Sequence, residues 1–324
     1  MCVLCGDVPS RRDFLKTLGA LPFIAAASPA VAQTGISDYR PVFETVHAED
    51  GRKLIAIRRF RRDGQELLLT VEPQSLVTQI RPREWTAADE TPDVTGLGGT
   101  PYLSALSAMT SPPYKIENAG LVHALHPVEG VFLTVDLCPS RRAYEARFFA
   151  QLADVAAREG RPTPVAISIS GYWALDHQAE LAALIESEGR REIDITWVNH
   201  SYTHRYARGL PDAQNFLLMP NTDFEREVLK TEELLIARGL TPSAFFRFPG
   251  LVSDEDLVLK LRKLGLIPLG ADAWLAKGRR ARPGSIVLVH GNGNEPLGIR
   301  EVRPYLADAR VKWLPLREAI TGAS

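Results

Sequence analysis

The segment His200-Ser201-Tyr202-Thr203-His204 sets two imidazoles four residues apart. If it forms one helical turn, both rings face the same way and can grip one divalent ion from adjacent coordination positions. Alone, such a pair is as readily structural as metal-binding, and Ser201 and Thr203 could simply hydrogen-bond the backbone and fix a loop. Its company strengthens the signal. Asp136, the His200/His204 pair, Arg247, Asp272 and His290 each lie at or just beyond the C-terminal end of a β-prone run. In parallel α/β barrels that edge is where active sites are assembled. Acid, base and metal-ligating side chains gathered there could activate a water and protonate a leaving group.

The elements that must position these residues begin near Gly130, where strand-like and helix-like stretches alternate. Expected strands are 131–136, 165–170, 193–199, 244–249, 268–271 and 285–290, with 311–316 as a further one. Expected helices are 143–159, 176–188, 223–238 and 254–264. Near-continuous apolar strands alternating with amphipathic helices argue a parallel sheet covered by helices, in a barrel or a doubly wound sheet. Residues 33 to about 125 read differently. Two β-prone runs flank the turn Arg62-Asp63-Gly64, and a Pro-, Gly-, Ser- and Thr-rich stretch from Thr91 to Pro113 reads as loop. This region is expected to be a β-rich extension of the main domain.

Composition sets the outer bounds. The chain has 324 residues, 45% hydrophobic and 24% charged, which excludes collagen-like, disordered and disulfide-scaffold classes. Lys+Arg 38 against Asp+Glu 39 gives no basic face for nucleic acid or an anionic membrane. Ser10-Arg11-Arg12-Asp13-Phe14-Leu15-Lys16 resembles a twin-arginine export signal, and Ala30-x-Ala32 suits a signal peptidase, so cleavage is expected before Gln33. The expected location is periplasmic or secreted, without membrane insertion after cleavage. Cys2 and Cys5 would leave with the signal, and Cys138 alone would remain, too few for an intrachain disulfide.

With these motifs in order, the chain resembles the polysaccharide deacetylase family, the NodB-homology hydrolases of carbohydrate esterase family 4. Leu133-Thr134-Val135-Asp136 matches the first motif, His200 to His204 the second, and Arg247-Phe248-Pro249-Gly250 the third. Asp272-Ala273-Trp274 resembles a compact fourth motif, and Leu288-Val289-His290 the fifth. The resemblance covers about Gly130 to Gly293. It implies a distorted (β/α) barrel over 126–324, behind a signal peptide at 1–32 and a β-rich extension at 33–125. It further implies a hydrolase that removes N- or O-acetyl groups from an acetylated polysaccharide or oligosaccharide. Asp136 would be the base, Arg247 its orienting partner and His290 the acid. Asp272 would stabilise the imidazolium of His290, while Pro249 and Trp274 would contact the sugar. His200 and His204 would hold one divalent ion, expected to be zinc.

The first motif departs from the family pattern. A second aspartate, usually a metal ligand, is replaced by Leu137, which cannot coordinate. In some relatives with a similar departure a carboxylate follows shortly downstream, and Glu145 could play that part. Its plainer role is that of a first-turn glutamate interacting with a helix dipole. Cys138 could itself offer a thiolate, though a lone buried thiol more often only packs. Leu137 also favours an alternative function, a non-catalytic glycan-binding relative that has lost the ion.

Overall fold

The structure is a computed structural model and describes residues 35–85, 87–88 and 97–322. The export signal and its cleavage site lie outside the described residues. The described residues form one compact unit. Among the described residues no helix is long and apolar enough to cross a membrane.

The extension is an antiparallel sheet of β1 (Ile36–His47), β2 (Lys53–Arg62), β3 (Gln65–Val71), β4 (Thr78–Pro82) and β5 (Ala87–Ala88), in the order β4-β3-β2-β1-β5. The turn between β2 and β3 places Asp63 and Gly64 at positive φ, the conformation a two-residue hairpin needs. Ile55, Ile57, Phe60, Leu67 and Leu69 of this sheet share one apolar core with Phe245, Phe246, Leu261 and Ile267. The extension therefore packs on the main domain. The stretch expected to be loop contains helix α1 (Pro101–Met109). Tyr102, Ala105 and Leu106 recur at helical spacing and bury one face, which turn-forming composition had masked.

The main domain follows as β6 (Gly130–Leu137), α2 (Ala146–Glu159), β7 (Thr163–Ile169), α3 (Gly171–Asp176), α4 (Gln178–Gly189), β8 (Ile193–Asn199) and α5 (Phe224–Ala237). It continues with β9 (Phe245–Phe246), α6 (Glu255–Lys263), β10 (Ile267–Pro268), β11 (Ala273–Trp274) and β12 (Ile286–His290). It ends with α7 (Pro296–Ala307), β13 (Lys312–Trp313) and α8 (Glu318–Thr321). The strands run β10-β9-β8-β7-β6-β12-β11, all pairings parallel, with β13 beside the start of β6. This is the expected distorted (β/α) barrel. Two bridges from the preceding segment, Leu121 to Leu269 and His123 to Ser285, join strands near its two edges. Gly120 makes that closure possible: its φ is +88°, and a Cβ there would lie 2.1 Å from the Pro268 carbonyl oxygen.

Side-chain alternation along β6 divides the cores. Val131, Leu133, Val135 and Leu137 pack in the helix-side cluster, whereas Phe132 belongs to the core shared with the extension. The even-numbered face of β6 therefore carries Asp136 toward the barrel mouth. Helix α7 escaped the sequence reading because Pro304 interrupts it and Pro296 starts it.

Candidate active site

Asp136 and His290 are register partners on the adjacent parallel strands β6 and β12, so two groups distant in sequence are neighbours at the sheet edge. Asp136 is 2% exposed and Arg247 fully buried. Arg247 Nη1 donates to Asp136 Oδ1 at 3.2 Å, and its Nη2 donates to the Gly270 carbonyl at 3.1 Å. The direct contact expected between Asp136 and Arg247 is present. Burial alone would raise the Asp136 pKa, but Arg247, His200 and His290 together hold it below the usual aspartate value.

The His200–His204 segment is not a helical turn. It is an irregular loop with Ser201 and His204 at positive φ, yet the rings still meet with centroids 4.7 Å apart. Glu227 of α5 shapes this loop, accepting from the Tyr202 amide at 2.9 Å, the Thr203 amide at 2.8 Å and the Thr203 hydroxyl at 2.7 Å. Ser201 Oγ accepts from the His204 amide at 3.2 Å, which fixes the second imidazole. Sequence reasoning passed over Glu227. Its signal was a pair of glutamates, Glu227 and Glu232, inside the buried stripe of Phe224, Val228, Thr231 and Leu235.

His200 Nδ1 donates to the Arg247 carbonyl at 2.8 Å, which turns Nε2 toward Cys138 Sγ at 3.5 Å and Asp136 Oδ2 at 3.7 Å. Burial lowers the His200 pKa more than Asp136 and the Arg247 carbonyl raise it, so this ring favours its neutral form. A neutral imidazole with Nδ1–H engaged leaves Nε2 as a lone-pair donor. Among the described residues His204 Nε2 is buried without a hydrogen-bond partner. These features fit a divalent ion at the two histidines.

Glu145 does not join them. It is the N-cap of α2, makes no side-chain cap bond, and its amide donates to the Gly291 carbonyl at 3.0 Å. Among the described residues, the His, Cys, Asp or Glu donors grouped closely enough to share an ion are Cys138, His200 and His204. Burial raises the Cys138 thiol pKa, but His204 and His290 outweigh it and bring the thiol to about 7.

Asp272 is also placed differently from the expectation. It accepts from the Ile286 amide at 3.0 Å and Ser285 Oγ at 3.2 Å, and meets His123 Nδ1 at 2.9 Å. Those groups stand at the start of β12, four residues from His290 and thus about 13 Å along a strand. The partner of His290 is Glu295, with Nδ1 and Oε2 2.8 Å apart in an ion pair rather than an aligned hydrogen bond. Burial opposes the charged ring, yet Cys138, Glu295 and Asp136 raise the His290 pKa well above its ordinary value. Trp274 Nε1 donates to the same Glu295 oxygen at 2.8 Å, and Lys277 Nζ lies 3.6 Å from the Trp274 ring centroid.

Asp136, Cys138, His200, His204, His290 and Glu295 line a cavity of about 1080 Å³ whose walls include Tyr172, Tyr206, Phe216 and Trp274. Pro249 is buried and off that lining, where Gly250 and Leu251 stand instead. Gly250 has φ +65°, and a Cβ there would lie 2.3 Å from the Phe216 ring, so glycine admits this aromatic wall. The arrangement can hold a carboxylate ionised and an imidazole protonated on adjacent strand ends of one cavity.

A family model described as the RP012 protein N-terminal domain matches residues 37–90. Solved structures similar to this chain include family 4 carbohydrate esterases and relatives described as pseudoenzymes. A family 4 carbohydrate esterase from Bacillus anthracis is 16% identical, with TM-score 0.46, over 68% of this chain and 92% of its own. PdaA of Bacillus subtilis, of the same esterase family, is 15% identical, with TM-score 0.46, over 77% of this chain and 92% of its own. A wild-type pseudoenzyme of that family from Bacillus anthracis is 16% identical, with TM-score 0.42, over 60% of this chain and 66% of its own.

Proposed function

We propose that this chain is a deacetylase-like hydrolase of the polysaccharide deacetylase family, removing N- or O-acetyl groups from an exported or cell-wall carbohydrate polymer. The observation that carries the reading is the buried Asp136–Arg247 pair beside His290, in a cavity that also holds His200 and His204. Asp136, kept ionised by Arg247, takes the proton of the attacking water. His290, kept protonated with the help of Glu295, delivers a proton to the departing nitrogen or oxygen. A divalent ion on His200 and His204, zinc by its donor chemistry, would acidify that water and polarise the acetyl carbonyl. Tyr172, Tyr206 and Trp274 offer flat surfaces on which sugar rings can stack. The twin-arginine-like leader supports action in the periplasm or outside the cell.

The second reading, a glycan-binding relative without catalysis, is favoured by Leu137 at the usual ligand position. Asp136→Asn separates the two. Acetate release from an acetylated oligosaccharide should fall by about 10²–10⁴, the contribution of a general base, with glycan affinity nearly intact. Glycan binding by the wild type with no acetate release from any acetylated member of a panel would favour the second reading.

A further inference from the structure

The structural reason for Leu137 also points to what replaces the missing ligand. Position 137 is the last rung of the helix-facing ladder of β6, fully buried with Leu133 and Val135. A carboxylate there would face an apolar layer. The next position, 138, returns to the face that carries Asp136. It holds a cysteine that lines the cavity and is 7% exposed.

Three donors then converge from two strand ends. Cys138 Sγ lies 3.5 Å from His200 Nε2, and one donor atom each from Cys138, His200 and His204 lie within 4.8 Å of one another. Zinc–sulfur and zinc–nitrogen bonds at a tetrahedral angle would set sulfur and nitrogen about 3.5 Å apart. The unpartnered His204 Nε2 and the Nδ1–H of His200 bound to the Arg247 carbonyl are independent signs of a site built for an ion.

We propose that the Cys138 thiolate is the third protein ligand of the ion held by His200 and His204, replacing the absent carboxylate and selecting thiophilic zinc or cobalt over magnesium or calcium. This rests on the metal-binding part of the proposed function, not on its acetyl chemistry. A sulfur donor disfavours hard oxygen-seeking cations, and three protein ligands leave a fourth position for water.

The test uses the full chain carrying Cys2→Ser and Cys5→Ser, so that Cys138 is the one thiol present. The metal-free protein is titrated with cobalt(II) and read by absorption. One equivalent should bind with a near-ultraviolet sulfur-to-cobalt charge-transfer band, and excess magnesium should not displace it. Cys138→Ser should abolish the band and weaken cobalt retention by more than the roughly 10–100-fold typical of removing an outer-shell partner. Cobalt bound without the band, no cobalt bound, or displacement by magnesium would each overturn the proposal, whether or not the serine variant folds. A band without acetate release from glycans would leave the thiolate ligand standing and remove the deacetylase reading instead.

Discussion

Two arginines, Arg58 in the extension and Arg247 in the barrel, are both fully buried, yet their surroundings differ in kind. Every side-chain nitrogen of Arg58 has a partner: Nε and Nη2 donate to Glu232 at 2.6 and 2.9 Å, and Nη1 donates to the Ile57 and Leu264 carbonyls at 2.6 and 2.7 Å. Tyr39 adds a hydroxyl donor to the same glutamate at 2.9 Å. Arg247 makes longer contacts of 3.2 and 3.1 Å, and among the described residues its Nε has no partner. Its carboxylate partner is shared with His200 and influenced by His290. A charge buried for architecture has its hydrogen bonds filled, whereas one buried for chemistry leaves capacity for groups that arrive later. Arg58 and Glu232 clamp the extension to α5, the helix whose Glu227 holds the histidine loop.

The comparison breaks most visibly by truncation. Arg58→Met leaves Glu232 buried without its cation and should cost about 3–5 kcal/mol of stability by denaturant unfolding. Molecules that remain folded should keep the wild-type KM. Arg247→Met, beyond its own cost in stability, should lower kcat about 100-fold because Asp136 loses the cation that keeps it ionised and placed. If Arg247→Met changed only stability, the contrast between the two sites would be lost.

A smaller effect tests the acid. Glu295 raises the His290 pKa, so the protonated ring persists to higher pH while Glu295 is present. Glu295→Gln should therefore move the alkaline limb of the pH–rate profile to lower pH, with the acidic limb unmoved. An unshifted alkaline limb would remove Glu295 from this role. The smallest effect is expected from Asp272→Asn. Its partners stand at the start of β12, so stability should drop by about 1 kcal/mol with acetate release nearly unchanged.

Legibility in the sequence followed the length and regularity of each element. Long apolar strands such as β8, and helices with caps such as Asp223 and Asp254, stood where periodicity put them. The meeting of Asp136 with Arg247 was foreseeable because both close strands of one parallel sheet. The exchange of Asp272 for Glu295 was not. Strand β10 is two residues long, so Asp272 precedes β11 instead of ending a strand, and Glu295 caps a helix hidden by its prolines. Cys138 and Glu145 differ for another reason. Strand alternation carried past its last residue turns the thiol inward, whereas Glu145 already belongs to the start of α2.

Metal content measured together with acetate release, in one preparation of the chain matured in the cytoplasm, tests the proposed hydrolase most directly. About one thiophilic ion per chain is expected, with acetate liberated from an acetylated glycan in proportion to that ion. A preparation that keeps its ion and binds the glycan but frees no acetate would contradict the deacetylase reading.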